Sequence, residues 1–177
     1  DRPRFFQEAM YLLLCGCGVG FSTQTHHTCK LNKIKNRIKE GIVYVIPDSI
    51  EGWADSIGVL ISSFMVGNVP FPEYKGHRVK FDFSKIRPAG TPIKSGSKAP
   101  GPAGLQQALL HIETLLNKCL KVGDTIRPID AYDIVMHSSD AVLSGGVRRS
   151  ATICIFSPED DEMATAKTGS WHRDNPQ

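Results

Sequence analysis

The residues best suited to bind an anion lie in one short segment. Gly145 and Gly146 are followed by Arg148 and Arg149, and an apolar run over 151–156 comes next. Glycine lets a loop approach a ligand closely, and arginine offers a planar, permanently charged fork that matches phosphate. The segment therefore predicts an anion-binding loop. An ordinary helix-to-strand turn with solvated arginines remains the alternative at this point, because short glycine-rich motifs are not specific.

A second glycine-rich segment, residues 16–20, follows a predicted helix and precedes a predicted strand. A dinucleotide-binding fingerprint requires the opposite order, and the segment lacks the Gly-Lys-Ser/Thr of a P-loop. We therefore interpret these glycines as residues that allow close packing at the start of a strand. The helices predicted after Pro102 and Ser157 offer further amide donors, so an anion of nucleotide type is the expected ligand.

Cysteine and histidine could support other chemistry. Zinc prefers four ligands with C-x(2–4)-C spacing, whereas Cys15 and Cys17 are separated by one residue and Cys15 is expected on an apolar helix face. A nucleophile–base pair of Cys29 with His26 or His27 would need a preorganisation that irregular segments rarely provide. We therefore favour free thiols over a zinc site or a nucleophile–base pair. The odd number of cysteines also argues against a disulfide framework and favours a reducing cytoplasm. The five are Cys15, Cys17, Cys29, Cys119 and Cys154.

Apolar periodicity predicts the elements that must position these segments. Asp48 is expected to cap a helix in a capping box with Glu51, and Asp130 is expected to cap another. The linker-like stretch 88–102 is long enough to be functional. The predicted helices are 5–14, 50–64, 105–120, 129–143 and 159–167, and the predicted strands are 19–22, 42–46, 79–83 and 151–156. This mixture indicates an α/β fold.

The composition excludes several classes of protein. The 177 residues carry a net charge of +3, with no polybasic tract that would indicate nucleic acid binding. No apolar run approaches the roughly 18 residues that span a bilayer. The chain starts without Met and stops after a polar turn, so we expect a piece of something longer.

Three segments, read in order, resemble the catalytic subunit of ribonucleotide reductases. The glycine-rich run 15–21 resembles a strand start of that family, 85–96 its first specificity loop and 144–152 its second. The acidic segment 158–163, the run 166–169 and the Asn-Pro-Gln at 175–177 are most similar to the adenosylcobalamin-dependent (class II) branch.

This resemblance implies a ten-stranded α/β barrel, of which the chain would be roughly the first half. It implies reduction of ribonucleotides, with triphosphates favoured, by a thiyl radical that adenosylcobalamin generates, for DNA synthesis. A thioredoxin-like partner would restore the reducing cysteines, and a dNTP or ATP effector would set substrate choice. The cobalt chemistry belongs to the cofactor, and the protein positions it.

Site residues transfer only where the motifs match. Gly18 would lie against the substrate through its backbone, Arg87 would contact the effector triphosphate, and Ile93 and Lys94 would belong to the first loop. Arg148 would reach the substrate from the second loop. The second-loop residues are Gly145, Gly146, Val147, Arg148, Arg149 and Ser150.

The family's redox and radical cysteines are expected outside residues 1–177, so the five cysteines receive no catalytic role and the chain alone is expected to be inactive. We treat 1–177 as part of the barrel domain with an insertion at about 26–83, similar to monomeric, triphosphate-reducing members. Two alternatives stay open: a nucleotide-binding regulatory module without catalysis, and a diiron-dependent reductase with a separate radical subunit.

Overall fold

The computed structural model describes residues 2–92, 98–143 and 150–170. Helices and strands alternate irregularly along this part of the chain, which confirms the predicted mixed α/β class. Among the described residues, no helix is both long and apolar enough to cross a lipid bilayer. The elements are α1 Arg4–Leu14, β1 Gly18–Ser22, α2 Thr25–Thr28, β2 Lys39–Val45, α3 Ile50–Phe64, a 3-10 turn Pro72–Tyr74, β3 His77–Asp82, α4 Ala103–Val122, α5 Pro128–Leu143, β4 Ala151–Ile155 and α6 Asp161–Thr165.

The described strands form two small parallel sheets, β1 with β4 and β2 with β3. Parallel strands need a crossover connection, because the chain must return to the same end of the sheet. Helix α3 lies in the crossover between β2 and β3, whereas 128 residues separate β1 from β4 along the chain. The β1–β4 pair is therefore a long-range contact that local sequence patterns do not specify.

The core lies where α1, α3, α4 and α5 pack together. Helix α1 buries a stripe at three- and four-residue spacing that includes Phe6, Met10 and Leu13. Helix α3 is buried on nearly every side, and the expected inward residues Trp53, Ile57, Leu60 and Ile61 are all buried. A helix that is apolar all round belongs in an interior, so α3 forms the centre of the helical layer.

Two predicted helix caps were wrong in detail. Ser49, in an extended conformation, caps α3 by accepting a hydrogen bond from the Gly52 backbone N–H at 3.0 Å. Asp48 lies one residue too early for this role, and its carboxylate pairs with Arg87 instead. At α5, Asp130 lies inside the first turn and accepts from the Arg127 backbone N–H at 3.1 Å.

Two other expectations also need correction. Cys15 lies just beyond α1 and is exposed. Its helical spacing places it on the side of Tyr11 and Leu12, which are exposed, and not on the buried stripe. The acidic helix is shorter than the predicted 159–167: it begins at Asp161 and ends at Thr165. Asp160 accounts for the later start, because its carboxylate accepts from the Met163 backbone N–H at 3.0 Å and caps the helix there.

Candidate functional site

The pairing of β1 with β4 brings two predicted site segments together. Gly18, the first residue of β1, lies opposite Ala151, the first residue of β4. Ser150 immediately precedes β4, so the end of the predicted second specificity loop lies beside the glycine that was expected to face the substrate. The other predicted residues of this loop, at 144–149, lie outside the described residues.

One face of the β1–β4 pair is exposed, and β1 contributes two glycines to it. Val19 and Phe21 are buried on the opposite face, whereas Gly18 and Gly20 are exposed. A Cβ at Gly18 would approach no described atom closer than 3.9 Å, and one at Gly20 none closer than 3.7 Å. Close packing within the described chain, our sequence interpretation, therefore does not explain these glycines. Their bare backbone leaves room for a ligand or for further chain.

The neighbouring strand continues this exposed face with aliphatic side chains. Ile153 is 68% exposed and Ile155 is 57% exposed, both high values for isoleucine. Contiguous apolar surface of this kind usually marks a contact site. The exposed face of Gly18, Gly20, Ala151, Ile153 and Ile155 is called the open sheet face below.

A buried hydroxyl anchors the end of the second loop. Ser139 on α5 is 7% exposed, and its Oγ lies 2.5 Å from Oγ of Ser150. The sequence analysis did not single out Ser139, because a serine on an amphipathic helix carries no signal of its own. Its contact fixes the point at which the chain re-enters β4.

Arg87 is already engaged by a carboxylate. Its Nε donates to Asp48 Oδ2 at 2.5 Å, and its side chain remains 43% exposed. Asp48 lies just before α3, within the predicted insertion. An anion that binds Arg87 must therefore share or displace this partner.

The base of the first loop is closed as a short hairpin. Pro92 pairs with Lys98 in an antiparallel bridge, and the Ala99 N–H donates to the Thr91 carbonyl at 2.8 Å. Ile93 and Lys94, the predicted loop residues, lie outside the described residues. The hairpin base nevertheless sets where the loop leaves and rejoins the fold.

An open cleft lies at the carboxyl ends of β1 and β4. His27 Nδ1 lies 2.8 Å from Ser22 Oγ at one side of it. Partial desolvation and the neighbouring His26 lower the pKa of His27. Cys29 is exposed, and within 2–92, 98–143 and 150–170 no three His, Cys, Asp or Glu side chains converge as metal ligands. The cleft is lined by Thr25, His26, Cys29, Ser157, Glu159, Asp160 and Asp161.

Cys119 is unsuited to nucleophilic chemistry. Its side chain is buried, and burial raises the pKa of its thiol to about 11, with the Asp130 carboxylate adding to the effect. A thiol with so high a pKa stays protonated at neutral pH, whereas nucleophilic cysteines need a depressed pKa. Cys154 lies beside Thr23, with 3.4 Å between Sγ and Oγ1.

The chain resembles one enzyme family at the levels of sequence and fold. An adenosylcobalamin-dependent ribonucleoside-triphosphate reductase from Lactobacillus delbrueckii subsp. bulgaricus is 35% identical over 129 residues, covering 72% of this chain and 17% of that protein. The enzyme of the same name from Lactobacillus gasseri is 35% identical over 137 residues, covering 76% of this chain and 18% of that protein.

The fold matches a solved structure of a B12-dependent (class II) ribonucleotide reductase with a TM-score of 0.74 and 24% identity. The match covers 92% of this chain and 26% of that one. The chain thus spans less than a fifth of the length of the two Lactobacillus relatives. Residues 22–116, more than half of the chain, match the family described as B12-dependent ribonucleotide reductase, insertion domain. The chain therefore belongs to the B12-dependent ribonucleotide reductase family, through the insertion domain of that family.

Proposed function

We propose that this chain is a section of an adenosylcobalamin-dependent ribonucleoside-triphosphate reductase, which reduces ribonucleotides to deoxyribonucleotides. The chain would carry part of the substrate site and both specificity loops. The names of the Lactobacillus relatives support this activity and the triphosphate form of the substrate. The reducing partner would be thioredoxin-like, and the enzyme would work in the cytoplasm.

The observation that carries the proposal is the register of β1 against β4. It places Gly18 opposite Ala151, although 133 positions separate the two residues in sequence. A substrate lying on the backbone of Gly18 would therefore be next to the residues that leave the second loop. A loop that discriminates between substrates must lie this close to the bound substrate.

The surrounding residues supply complementary functions in this proposal. The bare backbone at Gly18 would admit the ribonucleotide closely, and Arg148 would bring a guanidinium to its polar groups. Ser139 would hold the end of the loop through Ser150. The hairpin base at Thr91 and Ala99 would hold the first loop, where a dNTP or ATP effector would bind near Arg87. An effector that selects a loop conformation thereby selects the substrate.

The open sheet face fits a partial ten-stranded barrel. Parallel strands are normally covered on both faces, yet Ile153 and Ile155 of β4 are largely exposed. In the intact enzyme, further strands would pair with the free edges of β1 and β4, and the open sheet face would point into the barrel. The insertion at about 26–83 would contain β2, α3 and β3.

The described residues do not by themselves form a pocket suited to cobalamin. The open cleft is acidic and lined by short polar side chains, whereas cofactor pockets are largely apolar and enclosed. When bound to the intact enzyme, the cofactor would supply the radical. The residues of this chain would bind and orient the nucleotide and shield the reaction from water.

The test is an anaerobic assay of the full-length protein with a dithiol reductant, with and without adenosylcobalamin, on CTP and on CDP. We expect dCTP only when the cofactor is present and a lower rate with CDP. An R148A variant should change the relative rates with the four ribonucleotides and keep the unfolding temperature. A protein that binds dNTP but forms no product under any of these conditions would instead be a regulatory module.

A further inference from the structure

Two histidines face each other across the interface of α4 and α5. His111 lies on α4 and is exposed, and His137 lies on α5 and is half-buried. The helices pack against each other along their length and are joined by a short connection at 123–127. The two imidazoles are therefore held by backbones whose relative positions are set by the core.

The separation of the rings is the one that a shared metal ion would give. Their centroids lie 5.0 Å apart and their planes are inclined by 54°. A metal–nitrogen bond of about 2.0–2.1 Å, plus about 1.1 Å from nitrogen to ring centre, places two imidazoles about 5 Å apart at a tetrahedral angle. The observed separation of the ring centres is therefore the one expected for two imidazoles that share one ion.

The chemical state of the pair also suits a metal. Within the described part of the chain, no hydrogen bond engages a ring nitrogen of His111 or His137. Burial lowers the pKa of His137, and His111 lowers it further, against an opposing effect of Asp140 on the same helix. His137 is thus neutral at neutral pH, which is the form of imidazole that coordinates metals.

We propose that His111 and His137 form a two-imidazole site for a divalent transition metal of the Zn²⁺, Ni²⁺ and Cu²⁺ class. Two protein ligands leave the remaining positions to water, which the exposure of His111 allows. A bound ion would cross-link α4 to α5. The hairpin base of the first loop lies shortly before α4, and the second loop begins directly after α5, so the cross-link would restrain the ends of both loops. The site itself does not depend on the proposed function.

The experiment measures Ni²⁺ binding to the full-length protein by calorimetry at pH 7.5. Ni²⁺ is chosen because imidazole suits it, and exposed thiols are first blocked with N-ethylmaleimide. The variants are H111Q and H137Q, and the control is H77Q. His77 lies on β3, where its Nδ1 contacts the Glu40 carbonyl oxygen at 3.0 Å. Unfolding temperatures with and without Ni²⁺ provide a second readout.

We expect the wild-type protein and H77Q to bind one more Ni²⁺ than H111Q or H137Q, or to bind at least about tenfold more tightly. Ni²⁺ should raise the unfolding temperature of the first two proteins only. Equal binding by all four proteins, or none by the wild type, would overturn the proposal. Since His111 is exposed, H111Q alone decides the question if H137Q does not fold.

Discussion

The Asp48 carboxylate accepts a hydrogen bond from Arg87 Nε at 2.5 Å, which ties the chain before α3 to the chain that leaves β3. Both side chains are partly exposed. Asp48 neutralises the cation that the resemblance assigns to the effector triphosphate. The pair therefore links the predicted insertion to the predicted effector site, and it makes the carboxylate a competitor of any anion there.

Replacing Asp48 by Asn should strengthen dNTP binding to the full-length protein. The gain should reach up to about fivefold, because a partly exposed ion pair is worth at most about 1 kcal/mol. Equilibrium dialysis with a labelled dNTP measures it. The control is D124N, which breaks the exposed Lys33–Asp124 pair of 2.7 Å and should leave dNTP binding unchanged. Equal affinities in D48N and wild type would show that Asp48 does not compete.

Replacing Ser139 by Ala should loosen the end of the second loop and reduce discrimination among ribonucleotides. The loss of this partly buried hydrogen bond, about 1 kcal/mol, corresponds to about a fivefold change in the ratio of kcat/KM values. Competition assays with the four triphosphates measure this ratio.

Ser138 provides the matched control for this variant. It is also buried, but its Oγ donates to the Ile134 carbonyl within α5, and among the described residues it makes no hydrogen bond to Ser150. S138A should therefore keep the wild-type ratios. If S138A and S139A change discrimination equally, the effect belongs to the helix and not to the loop anchor.

Replacing Gly52 by Ala should destabilise the protein, although alanine normally favours a helix by about 1 kcal/mol. A Cβ at this position would lie 2.4 Å from the Pro47 carbonyl oxygen, and backbone must shift to relieve the clash at a cost of about 1–3 kcal/mol. Urea denaturation measures the change. Gly123 has extended backbone, and no atom of the described residues lies within 4 Å of a Cβ built there, so G123A should leave stability nearly unchanged. A G52A protein at least as stable as wild type would contradict the clash.

Replacing Asp55 by Asn should stabilise the protein at pH 7. Burial raises the pKa of Asp55. Its ionisation therefore costs stability that grows as the pH rises from the usual aspartate pKa of 3.8 through the raised pKa, and asparagine removes this cost. The asparagine side-chain oxygen can still accept the hydrogen bond that Gln7 Nε2 donates to Asp55 Oδ1. The advantage should shrink as the pH falls from 7 to 4, because wild-type Asp55 becomes protonated.

The pKa of Asp82 is shifted in the opposite direction to that of Asp55, so its ionisation has the opposite effect on stability. The Ser84 backbone N–H holds the pKa of Asp82 below its usual value. Its ionised form therefore stabilises the fold above pH 3.8, and this contribution is lost only as the pH falls through the depressed pKa. Urea denaturation of D82N should show a loss of stability at pH 7 that persists at pH 4. For Asp55, in contrast, a change in the free energy of unfolding of D55N that stays the same from pH 7 to pH 4 would contradict the role of ionisation.

The sequence by itself predicted most of the local structure. The apolar spacing of α1 and α3 identified their lengths and their buried residues, because a helix repeats its faces every 3.6 residues whatever it packs against. Patterns could not choose between Asp48 and Ser49 as the cap. Both residue types accept hydrogen bonds well, and the choice depended on how tightly the chain turns between Pro47 and Gly52.

The sequence also named Gly18 and Ser150 as members of one site, by resemblance, but it contained nothing that set their distance. Only the tertiary structure decided that Gly18 lies opposite Ala151, that Ser139 holds Ser150 and that Asp48 holds Arg87. Each of these contacts joins residues that are not neighbours along the chain. Their geometry follows from how the helices and sheets pack as a whole, which periodicity and motif spacing along the chain do not encode.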